Sequence, residues 1–390
     1  MLIQCTKALL DKLEIPVLEL KERGGYGTFP ESLKAWHASL ITIERRKAIV
    51  LMNNQTRFLV VLYGPTKSVF KKIKQHIEAA ISLTLRMEGM SQAIIEKYLD
   101  DAGEIEFSKT ENRSLVAQLN KAVEDVYINY EFLDESTLHQ PYLSSVANRN
   151  VHRGPNNDYL APLENMYDSL RHYLTNEESQ AKDLFDVELY QLKIQIEIEG
   201  VEIWRRILIP SACSFYHLHN VIQGVFDWQN YHLHFFEAEK PQEKQLVILT
   251  DNDLETLDML NPEFNVYTLE KFTPLKNIFP VYKKVRYVYD FGDNWEHTIT
   301  LEKVVRSKSG FEVVLLDRKG HRPPEDVGGE WGYHQYLSIS KDPENPDHEN
   351  MKEWALSQTE RDISIEEINR QLKYNYNFYY YYRHTNPSID

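Results

Sequence analysis

A length of 390 residues exceeds what one ordinary core serves and fits two domains. Two cysteines, Cys5 and Cys213, lie far apart, which excludes a disulfide framework and a cysteine-cluster zinc site and suits a reducing compartment. The net charge of −15 is lopsided: residues 1–175 carry 21 basic and 22 acidic side chains, residues 176–390 carry 23 and 37. The second half therefore lacks the basic face that clamping a phosphate backbone requires.

Asp11 and Lys12 follow Met1 too closely for a signal-peptide apolar region, and no uncharged apolar run reaches membrane-span length. A cytoplasmic protein with no membrane association is expected. Residues 1–175 read as a mixed α/β unit. Leu2–Cys5 is a short strand and Lys7–Leu13 a helical turn or two. Ala48–Met52 and Phe58–Leu62 form a hairpin about Asn53-Asn54-Gln55. Thr66 opens a helix with Phe70, Ile73, Ile77, Ile81 and Leu85 at helical spacing. The other face of that helix carries Lys71, Lys72 and Lys74, a solvated face or, with Arg45, Arg46 and Lys47, an anion patch. A helix follows Ser91, Glu104–Phe107 is a candidate strand, and Asn112 or Ser114 caps a long helix over Leu115–Phe132. Leu138–Pro162 is irregular, and a last helix spans Leu163–Leu174.

The polar stretch 176–183 lacks periodicity and is read as a linker. Beyond it, Leu192, Ile194, Ile196 and Ile198 alternate with polar residues, the pattern of a half-buried strand. Glu199-Gly200 turns the chain, Ile203–Ile209 returns and Pro210 ends the hairpin. Ser214 caps a helix whose stripe is Phe215, Leu218, Ile222 and Val225, with His219 beside it. Tyr231–Phe236 reads as a strand with His232 and His234 on one face, and Leu246–Leu249 as another. Lys284–Tyr289 and His297–Val304 flank the densest segment of the chain, Tyr289-Asp290-Phe291-Gly292-Asp293-Asn294-Trp295-Glu296-His297. A strand over Phe311–Leu316 leads to Pro323-Pro324-Glu325-Asp326-Val327-Gly328-Gly329, and helices follow near His348–Ser357 and Ile365–Tyr374. The expected fold is α+β in two domains, 1–175 and 184–375. The second is a largely antiparallel sheet with inserted and C-terminal helices, and residues 376–390 form a Tyr-rich tail. With no glycine-rich strand-to-helix loop, Rossmann and P-loop readings fail.

Cys5-Thr6-Lys7, Trp36-His37-Ala38, Arg45-Arg46-Lys47, Asn54, Thr56 and Lys109-Thr110-Glu111-Asn112-Arg113-Ser114 make the first half resemble a bacterial family of unknown function. From about Phe185 to Leu372 the chain resembles the Ri-plasmid ORF-three-like family. The likeness rests on Val201-Glu202-Ile203-Trp204-Arg205-Arg206, Leu218-His219-Asn220-Val221-Ile222-Gln223, Trp228, His232-Leu233-His234-Phe235, the two motifs about Asp290 and Glu325, Gly332-Tyr333, and Ile368-Asn369. The resemblance implies a plasmid or insertion-element context, and no settled activity. Many members carry cysteines flanking Pro-Pro-Glu-Asp, where this chain has Arg322 and Val327.

Two functional readings follow. In one, the domain is a non-enzymatic binding or accessory module: Trp295, Trp331, His219 and His234 line a ligand site, and the acidic surface favours a protein partner or cationic ligand over nucleic acid. In the other it is a metal-dependent hydrolase. Asp290, Asp293, His297, Glu325 and Asp326 then supply acid–base chemistry, and a divalent metal is held by ligands drawn from His219, His234, His297 and Asp290. Against both stands a structural explanation for each residue: turn chemistry at Asp293-Asn294, a satisfied core histidine at 219, a cap at Glu325-Asp326.

Overall fold

The computed structural model describes residues 1–16, 20, 26–28, 30–110, 112–153, 159–175, 183–239, 244–250, 263–308, 310 and 312–375. Two compact units emerge, one built mainly from residues 1–186 and one from 187–307 and 312–375. The Tyr-rich tail and residues 176–182 of the expected linker lie outside the described residues.

The first unit runs β1 (Leu2–Cys5), α1 (Lys7–Leu13), β2 (Ala35–Ile43), β3 (Arg46–Asn53), β4 (Leu59–Tyr63), α2 (Lys67–Lys71), α3 (Ile73–Met87) and α4 (Gln92–Ala102). It continues with β5 (Glu106–Lys109), α5 (Arg113–Ile128), α6 (Pro141–Ala147), β6 (His152–Arg153), β7 (Tyr159–Leu160) and α7 (Pro162–Thr175). Its five-stranded sheet has the order β4-β3-β2-β1-β5, with β1 parallel to both neighbours. The apolar run of β3 is buried from Ala48 to Asn53, as a strand inside a covered sheet must be. β2 carries Trp36-His37-Ala38, residues whose alternation gave no strand signal, because both faces here are buried. Trp36 is core, its Nε1 donating to Tyr98 Oη at 3.2 Å. The single helix expected after Thr66 is broken at Lys72 (φ −117°, ψ 25°) into α2 and α3. Ile73, Ile77, Ile81 and Leu85 keep the buried stripe, while Phe70 lies under the Lys12 ammonium at 5.7 Å. Asn112 caps α5, its Oδ1 accepting from Ser114 N and Leu115 N.

The second unit runs β8 (Val187–Ile198), β9 (Val201–Pro210), α8 (Phe215–Phe226), β10 (His234–Ala238), β11 (Gln245–Leu249), β12 (Asn265–Leu269) and α9 (Leu275–Ile278). Then come β13 (Lys284–Tyr289), β14 (Trp295–Ser307), β15 (Val314–Lys319), α10 (Gly329–Lys341), α11 (His348–Ala355) and α12 (Ile365–Asn375). Eight strands form one sheet in the order β12-β11-β10-β13-β14-β8-β9-β15, antiparallel throughout except for β11 with β12. The α+β, two-unit architecture read from the sequence is the one observed.

The amphipathic alternation of β8 puts Leu192, Ile194 and Ile196 in the core. Helix α8 covers the sheet, with Phe215 edge-on to Phe236 and Phe226 edge-on to His297. Arg205 is fully buried here. Its guanidinium lies over Phe226, donates to Val225 O, and meets the Glu360 carboxylate through two bonds of 2.8 and 2.7 Å. Helix α12 is pinned to β15 because Asn369 accepts from Leu315 N and donates to Leu315 O.

Candidate metal centre

The site is built where two strands end together. β10 and β13 pair antiparallel with His234 opposite Tyr289, so the residues just before β10 meet those just after β13. Asp290 N donates to Leu233 O at 3.0 Å, which fixes the meeting. The strand expected to start at Tyr231 starts at His234 instead, leaving His232 in the loop. Asp290 then opens the β13–β14 turn in the left-handed region (φ 61°), its Oδ1 accepting from Gly292 N and Asp293 N. That Asx turn uses one carboxylate oxygen. The other, Oδ2, stands 3.5 Å from His232 Nε2.

The second motif is brought in by Arg322. Its guanidinium lies 4.6 Å from the Trp228 ring centroid and donates to the carbonyls of Phe226, Asp227, Pro323 and Gln358. Glu325 is fully buried; its N donates to Gln358 O and its Oε1 accepts from Gln229 N at 2.7 Å. Asp293 Oδ2 accepts from Gly328 N, tying the two motifs together. The close approach explains the glycines: a Cβ on Gly329 (φ 67°) would stand 2.8 Å from Asp293 O, and one on Gly332 would overlap the Val327 carbonyl. Helix α10 begins after Gly328, so Glu325 and Asp326 do not cap it.

Three carboxylates consequently surround one imidazole nitrogen. His232 Nε2 lies 3.3 Å from Asp326 Oδ1, 3.5 Å from Asp290 Oδ2 and 3.9 Å from Glu325 Oε2. Both His232 Nε2 and Glu325 Oε2 are buried atoms without a hydrogen-bond partner among the described residues. Ligand atoms bonded at about 2.1 Å to one tetrahedral ion stand about 3.4 Å apart, and cis ligands of an octahedral ion about 3.0 Å. The His232, Asp290 and Asp326 atoms all lie within 4.8 Å of one another, close to that span. Asp326, with φ 54° and a side chain 61% exposed, is the open side of the cluster. Burial pushes the Glu325 carboxyl above the usual glutamate range, against the pull of the Gln229 N–H and the Arg322 charge.

The remaining expected site residues sit elsewhere. The expected convergence of His219, His234 and His297 with the acids is corrected by their placement: His219 is on α8, and His234 and His297 are on strands β10 and β14. His219 is buried with Nδ1 on Tyr287 Oη and Nε2 on Asn230 Oδ1, both 2.9 Å. Burial and then the neighbouring His234 ring push its pKa down to about 3. His234 Nε2 pairs with Glu270 Oε2 at 2.9 Å. His297 is fully buried, its Nδ1–H donating to Trp295 O, and burial lowers its pKa to about 4. All three lie among the aromatic core formed by Phe236 and Tyr287. Asp293 is the clamp between motifs. Trp295 is core, 2% exposed between Trp228 and Tyr333, whereas Trp331 on α10 is 77% exposed. His232 was absent from the sequence-derived ligand set. The visible signal for it was the His-x-His pair, and only strand register decides which of the two reaches the acids.

Fold and cluster together define a two-domain α+β protein whose second domain holds an imidazole ringed by carboxylates. Residues 188–372 match the family described as plasmid pRiA4b ORF-3-like protein, and residues 2–165 match a domain of unknown function (DUF6933). The chain is 29% identical over 168 residues to the uncharacterized protein y4hQ of Sinorhizobium fredii, spanning 43% of this chain and 81% of that protein. It is also similar to a crystal structure of a protein of unknown function, MM3350 from Methanosarcina mazei Go1. There the identity is 34%, the TM-score 0.39, and the match covers 45% of this chain and 96% of that one.

Proposed function

We propose that the C-terminal domain is a divalent-metal-binding module in which His232, Asp290 and Asp326 hold the ion, with Glu325 as a buried carboxylate beside it. The reading rests on the buried, unbonded Nε2 of His232 with carboxylate oxygens at 3.3, 3.5 and 3.9 Å. Carboxylates gathered around one point repel one another when no cation lies between them. With one, His232, Asp290 and Asp326 each supply a ligand atom suited to zinc or manganese. Metal analysis of the dialysed full chain, loaded with Zn²⁺ or Mn²⁺, tests this. Stoichiometric metal that is lost in folded His232→Ala and Asp290→Asn variants supports the site; no retained metal in the wild type refutes it.

A binding or accessory role linked to plasmids or mobile elements fits this module, the plasmid link coming from the family description. Its partner is a protein or cationic ligand rather than nucleic acid, since the charge of residues 176–390 is strongly acidic and Arg205 and Arg322 are consumed internally. Cys5 and Cys213 are buried and form no disulfide, which suits the cytoplasm. No helix among the described residues is long and apolar enough to cross a membrane.

One observation favours hydrolysis as a second reading. Glu325 combines a raised pKa with an unbonded oxygen beside the ion position, the properties of a general base for metal-bound water. Turnover of p-nitrophenyl esters or anilides by the metal-loaded chain, abolished in Glu325→Gln with metal retained, supports it. Turnover undiminished by that change would remove Glu325 from the chemistry.

A further inference from the structure

We propose that the first unit binds a small phosphomonoester carrying hydroxyl groups, in the pocket at the carboxyl ends of β1 and β5. The two motif segments of this unit, Cys5-Thr6-Lys7 and Lys109-Thr110, are separated by a hundred positions yet end adjacent parallel strands, with Cys5 opposite Lys109. Thr110 N donates to Cys5 O at 3.3 Å, stitching the chain leaving β5 to the end of β1. Beyond this seam lies a pocket of about 640 Å³. In sheets with parallel strands, the crevice outside the carboxyl ends is where ligands sit, and a volume of several hundred cubic ångströms accepts a nucleotide-sized molecule.

Its lining chooses the ligand. Lys7, at the start of α1, and Lys109 and Thr110, at the end of β5, are part of it. Both lysines are exposed, and neither ammonium forms an ion pair or hydrogen bond with another described residue. Two ammonium groups and a hydroxyl make a phosphate subsite, with lysine acting as a point charge. Asp11 and Glu14 of the α1 segment also line the pocket. Neither has a salt-bridge partner among the described residues, so their oxygens are open to accept ligand hydroxyls. Leu10 and Ile15 supply apolar wall. Ammonium groups for an anion, carboxylates for hydroxyls and an apolar wall together suit a sugar phosphate or nucleoside monophosphate. Lys71, Lys72 and Lys74, exposed on α2, the Lys72 junction and α3, do not line this pocket and serve as controls.

The test is calorimetric titration of the full chain with AMP and ribose 5-phosphate, each against its unphosphorylated counterpart, adenosine or ribose. Saturable binding of at least one phosphorylated probe at about millimolar Kd or tighter is expected, with the unphosphorylated form at least about tenfold weaker. Lys7→Glu and Lys109→Glu should each weaken binding at least about tenfold, while Lys71→Glu should not. Lys7→Met and Lys109→Met remove charge alone and answer the question should either glutamate variant disturb folding. Absence of saturable binding, equal affinity for adenosine and AMP, or affinity unmoved by the Lys7 and Lys109 changes would each overturn the proposal.

Discussion

The imidazoles of His219 and His234 lie face to face, ring centroids 3.5 Å apart and planes 3° from parallel. Stacked this closely between α8 and β10, the two rings cannot share positive charge cheaply, and burial alone already opposes it.

That stack and His297 set an acid limit on the second unit. Histidines held neutral have folded pKa values below the unfolded value of about 6.5, so their stabilisation is complete above that pH and lost as pH falls. For His219 and His297 the window runs down to about 3 and about 4. Protonating His297 at its buried site costs on the order of 3 kcal/mol. Urea midpoints measured from pH 7 to 4 should fall steeply, and His297→Gln should flatten the slope. A wild-type midpoint independent of pH across this range would contradict the assignment.

Glu360 holds the only formal countercharge bonded to Arg205 among the described residues, inside the core. Glu360→Ala leaves a buried guanidinium uncompensated and should cost about 3–5 kcal/mol in chemical denaturation. A loss below about 1 kcal/mol would mean that the backbone carbonyls around Arg205 suffice.

Glu325 shows the opposite sign from the histidines. Its folded pKa is raised, chiefly by burial. The stabilising contribution is therefore full below about pH 4 and disappears as pH rises through the folded value. In chelator-treated protein, Glu325→Gln should match wild type at about pH 4 and exceed it at neutral pH. With Mn²⁺ or Zn²⁺ bound the order should reverse, since the ion favours the ionised carboxylate. Thermal midpoints with and without metal measure both arms.

The glycines of the second motif act through position. Gly332→Ala forces the new methyl into the Val327 carbonyl and shifts the Asp326 loop. We expect a stability loss of about 1–3 kcal/mol and a metal affinity lowered by at least about tenfold. Unchanged affinity would show that the loop is not part of the site.

Much of this protein was legible in one dimension. Period-two alternation in β8 and β9, the turn at Glu199-Gly200 and the helical stripe of α8 are local consequences of burying one face, so they appear in the order of the residues. Asp290, Glu325 and Asp326 also stand out as candidates in the order of the residues, because acids cluster there with Gly and Pro, although turn and cap chemistry accounts for the same pattern. Strands buried on both faces, such as β2, lose that periodicity, and the break of the expected Thr66 helix at Lys72 left no mark.

The proposed ligand set is visible only in three dimensions. His232, His234, His219 and His297 are chemically identical in the sequence. Pairing of His234 with Tyr289 buries one member of the His-x-His pair against Glu270 and leaves the other, His232, facing the acids at the strand end. In the same way the parallel pairing of Cys5 with Lys109 unites two motifs a hundred residues apart into one pocket wall. Composition and periodicity record which faces are buried. Register and long-range pairing place a particular nitrogen or ammonium beside a particular oxygen, because they depend on contacts the local chain does not encode.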